Sequence, residues 1–330
     1  MTLHSILWRD GVEVDHDIAL TSLDTHLACE GELVWFDVSG HDKAVLDQLA
    51  SELGLDPLAV EDAVSRGERP KATRHEFHTF VTVTAARLVE PEAGVFESRL
   101  VAEPVSAFVL PRGLVTVRLD AQFDMDPVIE RWRQNSALLA AGSSALVYGL
   151  LDVVVDGHFE MVGQLDDSIE LLEDSLFEST PLPARVQRRS FQLRKELVEF
   201  RRIALPMREV VNTVRRLAEN VNGTSPLSNY YDDLYDHVLR VTEWTESLRD
   251  MITTIFETNL SLQDAHLNMV MKKLAGWAAV IAVPTAVTGW FGQNIPYPGF
   301  AHVGGLWQSV IAILVGTVGL YIFFKARDWI

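Results

Sequence analysis

Between Lys273 and Lys325 the chain has no Lys, Arg, Asp or Glu. A solvated helix keeps a polar face at a period of 3.6 residues, so this stretch is not the surface of a soluble globule. Cysteine is almost as scarce. Cys29 stands alone among 330 residues, which excludes a disulfide framework and a Cys-rich zinc site. As a small apolar side chain it is expected to be buried. No Gly-x-x-x-x-Gly-Lys-Ser/Thr phosphate loop occurs, so nothing points to a bound nucleotide. No nucleophile and base pair and no clustered metal ligands stand out, and the chain is not read as an enzyme. Basic side chains are in short supply, 28 against 46 acidic ones for a formal charge of −18. That surface repels nucleic acid and anionic lipid and concentrates cations, although acidity also serves solubility alone.

Within the uncharged stretch, Leu274 to Phe291 and Leu306 to Phe324 each approach the roughly 20 apolar residues that a helical span requires. They are apolar all round, unlike a core helix with one polar face. Lys272 and Lys273 precede the first span, Lys325 and Arg327 follow the second, and the turn between them holds only His302. By the positive-inside rule both ends are cytoplasmic and the turn faces out. The chain opens on Met1-Thr2-Leu3-His4 with no charged and then apolar leader. No cleaved signal peptide is therefore expected, and the soluble portion is expected in the cytosol of a cell whose plasma membrane holds the two spans.

The first portion mixes periods. Leu33 to Val38 reads as a strand ending near Gly40, Asp42 to Leu53 as an amphipathic helix closed by Gly54, and Phe77 to Leu88 as a Val- and Thr-rich strand. Ala107 to Leu119 predicts a hairpin about Pro111 to Gly113. Together these predict a small α/β layer domain over residues 1–126. From Pro127 the pattern is helical: a hairpin over 127–227, broken at Ser179 to Pro183 and at Asn222 to Pro226, with Pro206 expected to kink its helix without ending it. From Leu227 to Ala275 there is neither Gly nor Pro. A stalk helix over 228–273 therefore runs into the two-helix membrane portion, 274–330. One helix from about Ser228 to Phe291 would be on the order of 95 Å long at 1.5 Å per residue. No monomer supports such a rod alone, so bundling or a symmetric assembly is expected. The fold class is an α+β membrane protein.

Steps of three and four along the end of that helix give Glu257, Asp264, Asn268, Met271, Leu274 or Ala275, Ala278, Ala282, Thr285 and Gly289. The other faces carry Trp277, Ile281, Val283 and Trp290. A stripe of small residues serves either close helix packing or the wall of a hole. Two spans cannot enclose a hole, but a ring of copies can. Gly292-Gln293-Asn294 lies where the stripe reaches the outer surface. Carboxamide and carbonyl oxygens there would form rings of neutral acceptors, suited to a hydrated Mg²⁺ that sheds water reluctantly. A Zn²⁺ filter would sooner use His, Cys or carboxylate. An ordinary polar turn remains the alternative.

Asn268-Met269-Val270-Met271-Lys272-Lys273-Leu274, then Pro284, then Gly292-Gln293-Asn294 before a second short span, resembles the CorA family of magnesium transporters and channels. So do Val60-Glu61-Asp62 with Arg69-Pro70-Lys71, and Tyr230-Tyr231-Asp232-Asp233-Leu234-Tyr235-Asp236-His237. The likeness runs in order from about residue 35 to 330. It implies a homopentamer with a cytoplasmic funnel, and an outer filter of Gly292 and Asn294. It implies Asn268 on the pore, with Met271 and Leu274 as a hydrophobic gate. It also implies regulatory Mg²⁺ between neighbouring subunits, held by Glu61 or Asp62 on one and Asp233 on the next, with Asp152 and Asp156 as lesser candidates.

The resemblance thus implies passive Mg²⁺ influx, closed by intracellular Mg²⁺, with Mg²⁺ both cargo and regulator. Two departures stand out. Gln293 replaces the Met of the best-known members, and the turn Ile295 to Gly305 lacks the acidic segment often found there. Competing readings are a Zn²⁺ transporter resembling the ZntB branch, to which His4, His16, His26, His41, His75 and His78 could contribute, and a membrane-anchored sensor that conducts nothing.

Overall fold

The computed structural model describes residues 2–40, 43–65, 67–89, 99–119, 123–178, 184–222, 226–293, 295–300 and 302–330. The elements in order are β1 (Thr2–Arg9), β2 (Val12–His16), α1 (Leu23–Ala28), β3 (Glu32–Ser39), α2 (Lys43–Leu53), α3 (Pro57–Val64), β4 (Lys71–Arg74), β5 (Thr79–Val89), β6 (Arg99–Leu110) and β7 (Gly113–Arg118). They continue with α4 (Asp126–Gln134), α5 (Ser143–Glu178), α6 (Ala184–Asn222), α7 (Ser228–Phe291) and α8 (Val303–Ala326). Two short 3₁₀ turns, Leu20–Ser22 and Ser136–Ala141, complete the described elements. Two compact units emerge: residues 1–173 with 184–253, and residues 174–183 with 254–330.

In the first unit seven strands form one sheet in the order β2-β1-β3-β7-β6-β5-β4. Among the described strands the β3–β7 pair alone is parallel; the other pairs are antiparallel. β3 is buried along its whole length because it lies inside the sheet with helices on both faces. Its alternation separates two cores. Leu33 and Trp35 join the face covered by α4, α5, α6 and the start of α7, while Val34, Phe36 and Val38 join the face covered by α1, α2 and α3. Trp132 of α4 meets Trp8 and Trp35 edge to face, with ring centroids 5.9 and 5.2 Å away, and its indole donates to the Leu146 carbonyl at 3.0 Å.

The hairpin expected about Pro111 to Gly113 is present, with Leu110 paired to Gly113 across the turn. α6 continues through Pro206 and α7 is a single helix of 64 residues, as the absence of early breakers predicted. One expectation fails: Cys29 is exposed. It caps the C-terminus of α1, its backbone N–H reaching the His26 carbonyl, so the chain turns there before either core is reached. β3 also contains a polar residue on a core face. Asp37 is fully buried beside Arg118, and Thr116 donates to its carboxylate at 2.5 Å. Arg118 donates further to the Phe123 carbonyl, so this buried pair has the extra hydrogen bonds that such pairs require.

Candidate functional site

Among the described residues α7, from residue 254 onward part of the second unit, and α8 are the two helices long and apolar enough to cross a membrane. They are not core helices of a soluble fold, because Ile281, Trp290, Leu306, Val315 and Ile322 are each 60% exposed or more. α7 packs on α8 through one face. Val280 is 6% exposed, and Gly276, Ala279, Val283, Val287 and Phe291 are buried or half-buried with it. A Cβ on Gly316 of α8 would lie 2.8 Å from Val283 Cγ1, and the rings of Trp277 and Tyr321 are 6.3 Å apart.

The predicted stripe is a different face. Asn268, Ala275, Ala278, Ala282, Thr285 and Gly289 are all exposed, and Met271 and Leu274 are 64% and 65% exposed. At about 100° per residue the stripe centres nearly opposite Gly276, Val280, Val283 and Val287. Helix contact inside one chain therefore does not use the small-residue stripe.

Past Phe291 the helix ends in a tight turn. The Gly292 N–H donates to the Thr288 carbonyl at 2.9 Å and that of Gln293 to the Trp290 carbonyl at 3.4 Å. A Cβ on Gly292 would stand 3.1 Å from the Thr288 oxygen, so a side chain there would press on the backbone. Asn294 lies outside the described residues. Sequence reasoning passed over the clasp that follows: Tyr297 meets Phe291 and Phe300 edge to face at 4.9 and 5.5 Å. A Cβ on Gly305 would stand 2.5 Å from the Gly299 oxygen. The glycine pair was the available signal, since only glycine permits backbones to approach so closely.

The regulatory carboxylates lie in the first unit. α3 starts at Pro57 with Asp56 as its cap, accepting from the Leu58 and Ala59 N–H groups at 2.9 and 3.3 Å. That start presents Glu61, which is exposed, and Asp62, whose carboxylate is 2.8 Å from Lys71 Nζ. Asp233, near the start of α7, is 67% exposed and 3.7 Å from His237 Nε2. Asp152 and Asp156 share Arg131, the second at 2.8 Å. Tyr148 packs on Tyr230 and Tyr231 at 5.6 and 5.7 Å. Burial raises its hydroxyl, and Asp233 and Asp156 both add to that rise while Arg131 opposes it.

Among the described residues no group of three or more His, Cys, Asp or Glu is placed to hold a metal ion. One chain therefore does not gather Glu61, Asp62 and Asp233 into a complete site. The histidines do not converge either. His4 lies by Asp17, His16 by Glu13, His26 by Glu32 and His75 by Asp56. His78 stacks on His75 with centroids 4.8 Å apart, and burial lowers its pKa. The in-plane lone pairs of two parallel rings cannot meet at one ion without turning a ring. His41 lies outside the described residues.

The chain is similar to a cobalt/magnesium transport protein CorA from Thermotoga maritima, 28% identical over 300 residues that span 90% of this chain and 83% of that protein. Its fold matches the complete structure of the CorA magnesium transporter from Methanocaldococcus jannaschii, with TM-score 0.75, 21% identity and all of both chains covered. The ZntB cytoplasmic domain from Vibrio parahaemolyticus also matches, with TM-score 0.55, 12% identity and 80% of this chain against all of that one. At such identities the matched structures speak for the fold alone, and the soluble fold does not discriminate between ions. The family model for CorA-like Mg²⁺ transporter protein spans residues 30–326, the soluble motifs, the stripe and both membrane-length helices together, and the chain belongs to that family.

Proposed function

We propose that this chain is a subunit of a homo-oligomeric, pentameric Mg²⁺ channel in the plasma membrane, with both termini cytoplasmic. The observation that carries the reading is the free stripe on α7. The face from Asn268 through Met271, Ala278, Ala282 and Gly289 is exposed while the opposite face packs on α8. A ring of copies with that face inward gives each subunit's small residues a common lumen. In this reading Gly292 and Asn294 form the outer filter and hydrogen-bond a hydrated ion. Asn268 lines the pore below, and Met271 and Leu274 form a collar that closes by dewetting. The parts 1–126, 127–227, 228–273 and 274–330 act as head, helical hairpin, stalk and pore.

Regulation follows from facing carboxylates. Glu61 or Asp62 on one subunit and Asp233 on its neighbour repel each other across an interface. Bound Mg²⁺ screens that repulsion and holds the closed ring; its loss lets subunits part and the collar widen. Inward flux then needs only the inside-negative potential, about 2.3 kcal/mol per charge per 100 mV and twice that for a divalent ion.

The test is flux into proteoliposomes with Mg²⁺, then Zn²⁺, as the only divalent ion, for wild type and Asn294→Ala. Mg²⁺ flux that Asn294→Ala abolishes or makes unselective supports the channel. Zn²⁺ flux without Mg²⁺ flux replaces it by the ZntB-like transporter, and flux of neither leaves the sensor.

A further inference from the structure

Three of the carboxylates offered to the regulatory cation, Asp62, Asp152 and Asp156, already hold positive charge from their own chain. Lys71, the first residue of β4, sits between α3 and the loop that follows it, with Nζ 2.8 Å from Asp62 and 3.0 Å from Glu68. Arg131 of α4 forks across one turn of α5, pairing with Asp152 through one terminal nitrogen and with Asp156 through the other at 2.8 Å. Neither arrangement is a loose surface pair: Asp152 is 9% exposed, and Lys71, Asp62, Glu68 and Arg131 are about one-third exposed each. Asp233 differs: it is 67% exposed, and its ion-pair partner among the described residues is His237, 3.7 Å away.

We propose that Lys71 and Arg131 are built-in counter-cations of the regulatory carboxylates, and that their competition with the divalent ion sets the concentration at which it closes the channel. The inference rests on the regulatory reading above and adds what tunes it. A tethered monovalent charge neutralises part of the site at every ion concentration. A divalent ion gains about twice the coulombic attraction for each carboxylate, but it must first dislodge a hydrogen-bonded ammonium or guanidinium. The site therefore fills only at a higher divalent concentration than the bare carboxylates would require. In the empty state the same side chains limit repulsion within each subunit, which keeps the head folded when the regulatory ion is absent.

The experiment uses the full chain in proteoliposomes, with internal Mg²⁺ titrated against Mg²⁺ influx. Lys71→Met and Arg131→Gln are each expected to move the inhibition midpoint to lower Mg²⁺ by about two- to fivefold, the span of a partly exposed ion pair. The double variant should show nearly the product of the two shifts, since the pairs sit on different elements. Lys71→Arg, which keeps the charge, should leave the midpoint in place. The rise in unfolding temperature with Mg²⁺ gives the same midpoints without reference to flux, so a variant with impaired conduction still reports. The control is the triple variant Glu61→Ala, Asp62→Ala and Asp233→Ala. If it loses inhibition while Lys71→Met and Arg131→Gln leave the midpoint unmoved or raise it, the counter-cation proposal is wrong and the regulatory reading stands. If the triple variant is inhibited like wild type, the regulatory reading fails and this inference with it.

Discussion

The seam that leaves the α7 stripe exposed contains one close contact, between Gly316 and Val283, and a double-mutant cycle tests it. A Cβ on Gly316 would stand 2.8 Å from Val283 Cγ1, about 1 Å inside the preferred separation of two carbon atoms. Val283 cannot readily swing away, because a β-branched side chain in a helix is held close to one χ1 rotamer. Gly316→Ala must therefore push α8 off α7 or strain Val283, at a cost of about 1–3 kcal/mol, the range for overpacking a tight contact. Val283→Ala alone leaves a small gap and costs about 1 kcal/mol. Combined, the alanine at 316 fills the space that Cγ1 vacates. The double variant should therefore be more stable than the sum of the singles by about 1–2 kcal/mol. Unfolding of the micelle-embedded chain by rising SDS mole fraction measures all four proteins. Gly319→Ala supplies the control, since nothing stands within 4 Å of a Cβ there, and its effect should stay within about 0.5 kcal/mol. Additive effects of Gly316→Ala and Val283→Ala, or a Gly319→Ala cost equal to that of Gly316→Ala, would refute the seam and with it the outward aim of the stripe.

Further outcomes follow from the same contacts. In a Cys29→Ser background, Ala278→Cys and Ala282→Cys should react with a water-soluble thiosulfonate and lose flux, while Val280→Cys in the seam should not; equal reaction at all three would contradict the pore wall. Gly149→Ala would set a Cβ 2.4 Å from the Trp132 indole nitrogen, breaking its bond to Leu146. It should lower stability by about 1–3 kcal/mol, visible as a fall in unfolding temperature. His158 is buried against Phe200 with Nε2 donating to the Thr84 carbonyl at 2.8 Å, and burial lowers its pKa from 6.5 to about 4. The unfolded chain thus takes up a proton that the folded chain refuses. Stability is intact above pH 6.5 and falls toward pH 4, by about 3 kcal/mol at 1.36 kcal/mol per pKa unit. His158→Gln, which cannot ionise, should lack that part of the acid sensitivity, and parallel pH curves for the two proteins would count against it.

What the amino-acid sequence determined by itself is local. The uncharged run fixed two membrane-length helices, the lack of Gly and Pro from Leu227 fixed one long α7, and the three- and four-residue spacing fixed which α7 positions share a face. Each needs only helix geometry and the cost of placing charge in lipid. The order of motifs from Glu61 to Asn294 was likewise legible. The tertiary structure decided what those faces and carboxylates meet. Periodicity marked the stripe but not its use, because helix packing and lining a lumen both call for small residues; the Gly316–Val283 contact on the opposite face shows that packing on α8 of the same chain does not take it up. No helix or strand period joins Asp62 to Lys71 or Asp152 and Asp156 to Arg131, since each pair bridges two successive elements, α3 and β4 or α4 and α5, whose relative placement only the folded chain sets. The parallel β3–β7 pairing lies beyond local pattern for the same reason. Exposure of Cys29 was decided by where the chain turns after α1, and side-chain hydrophobicity does not encode that.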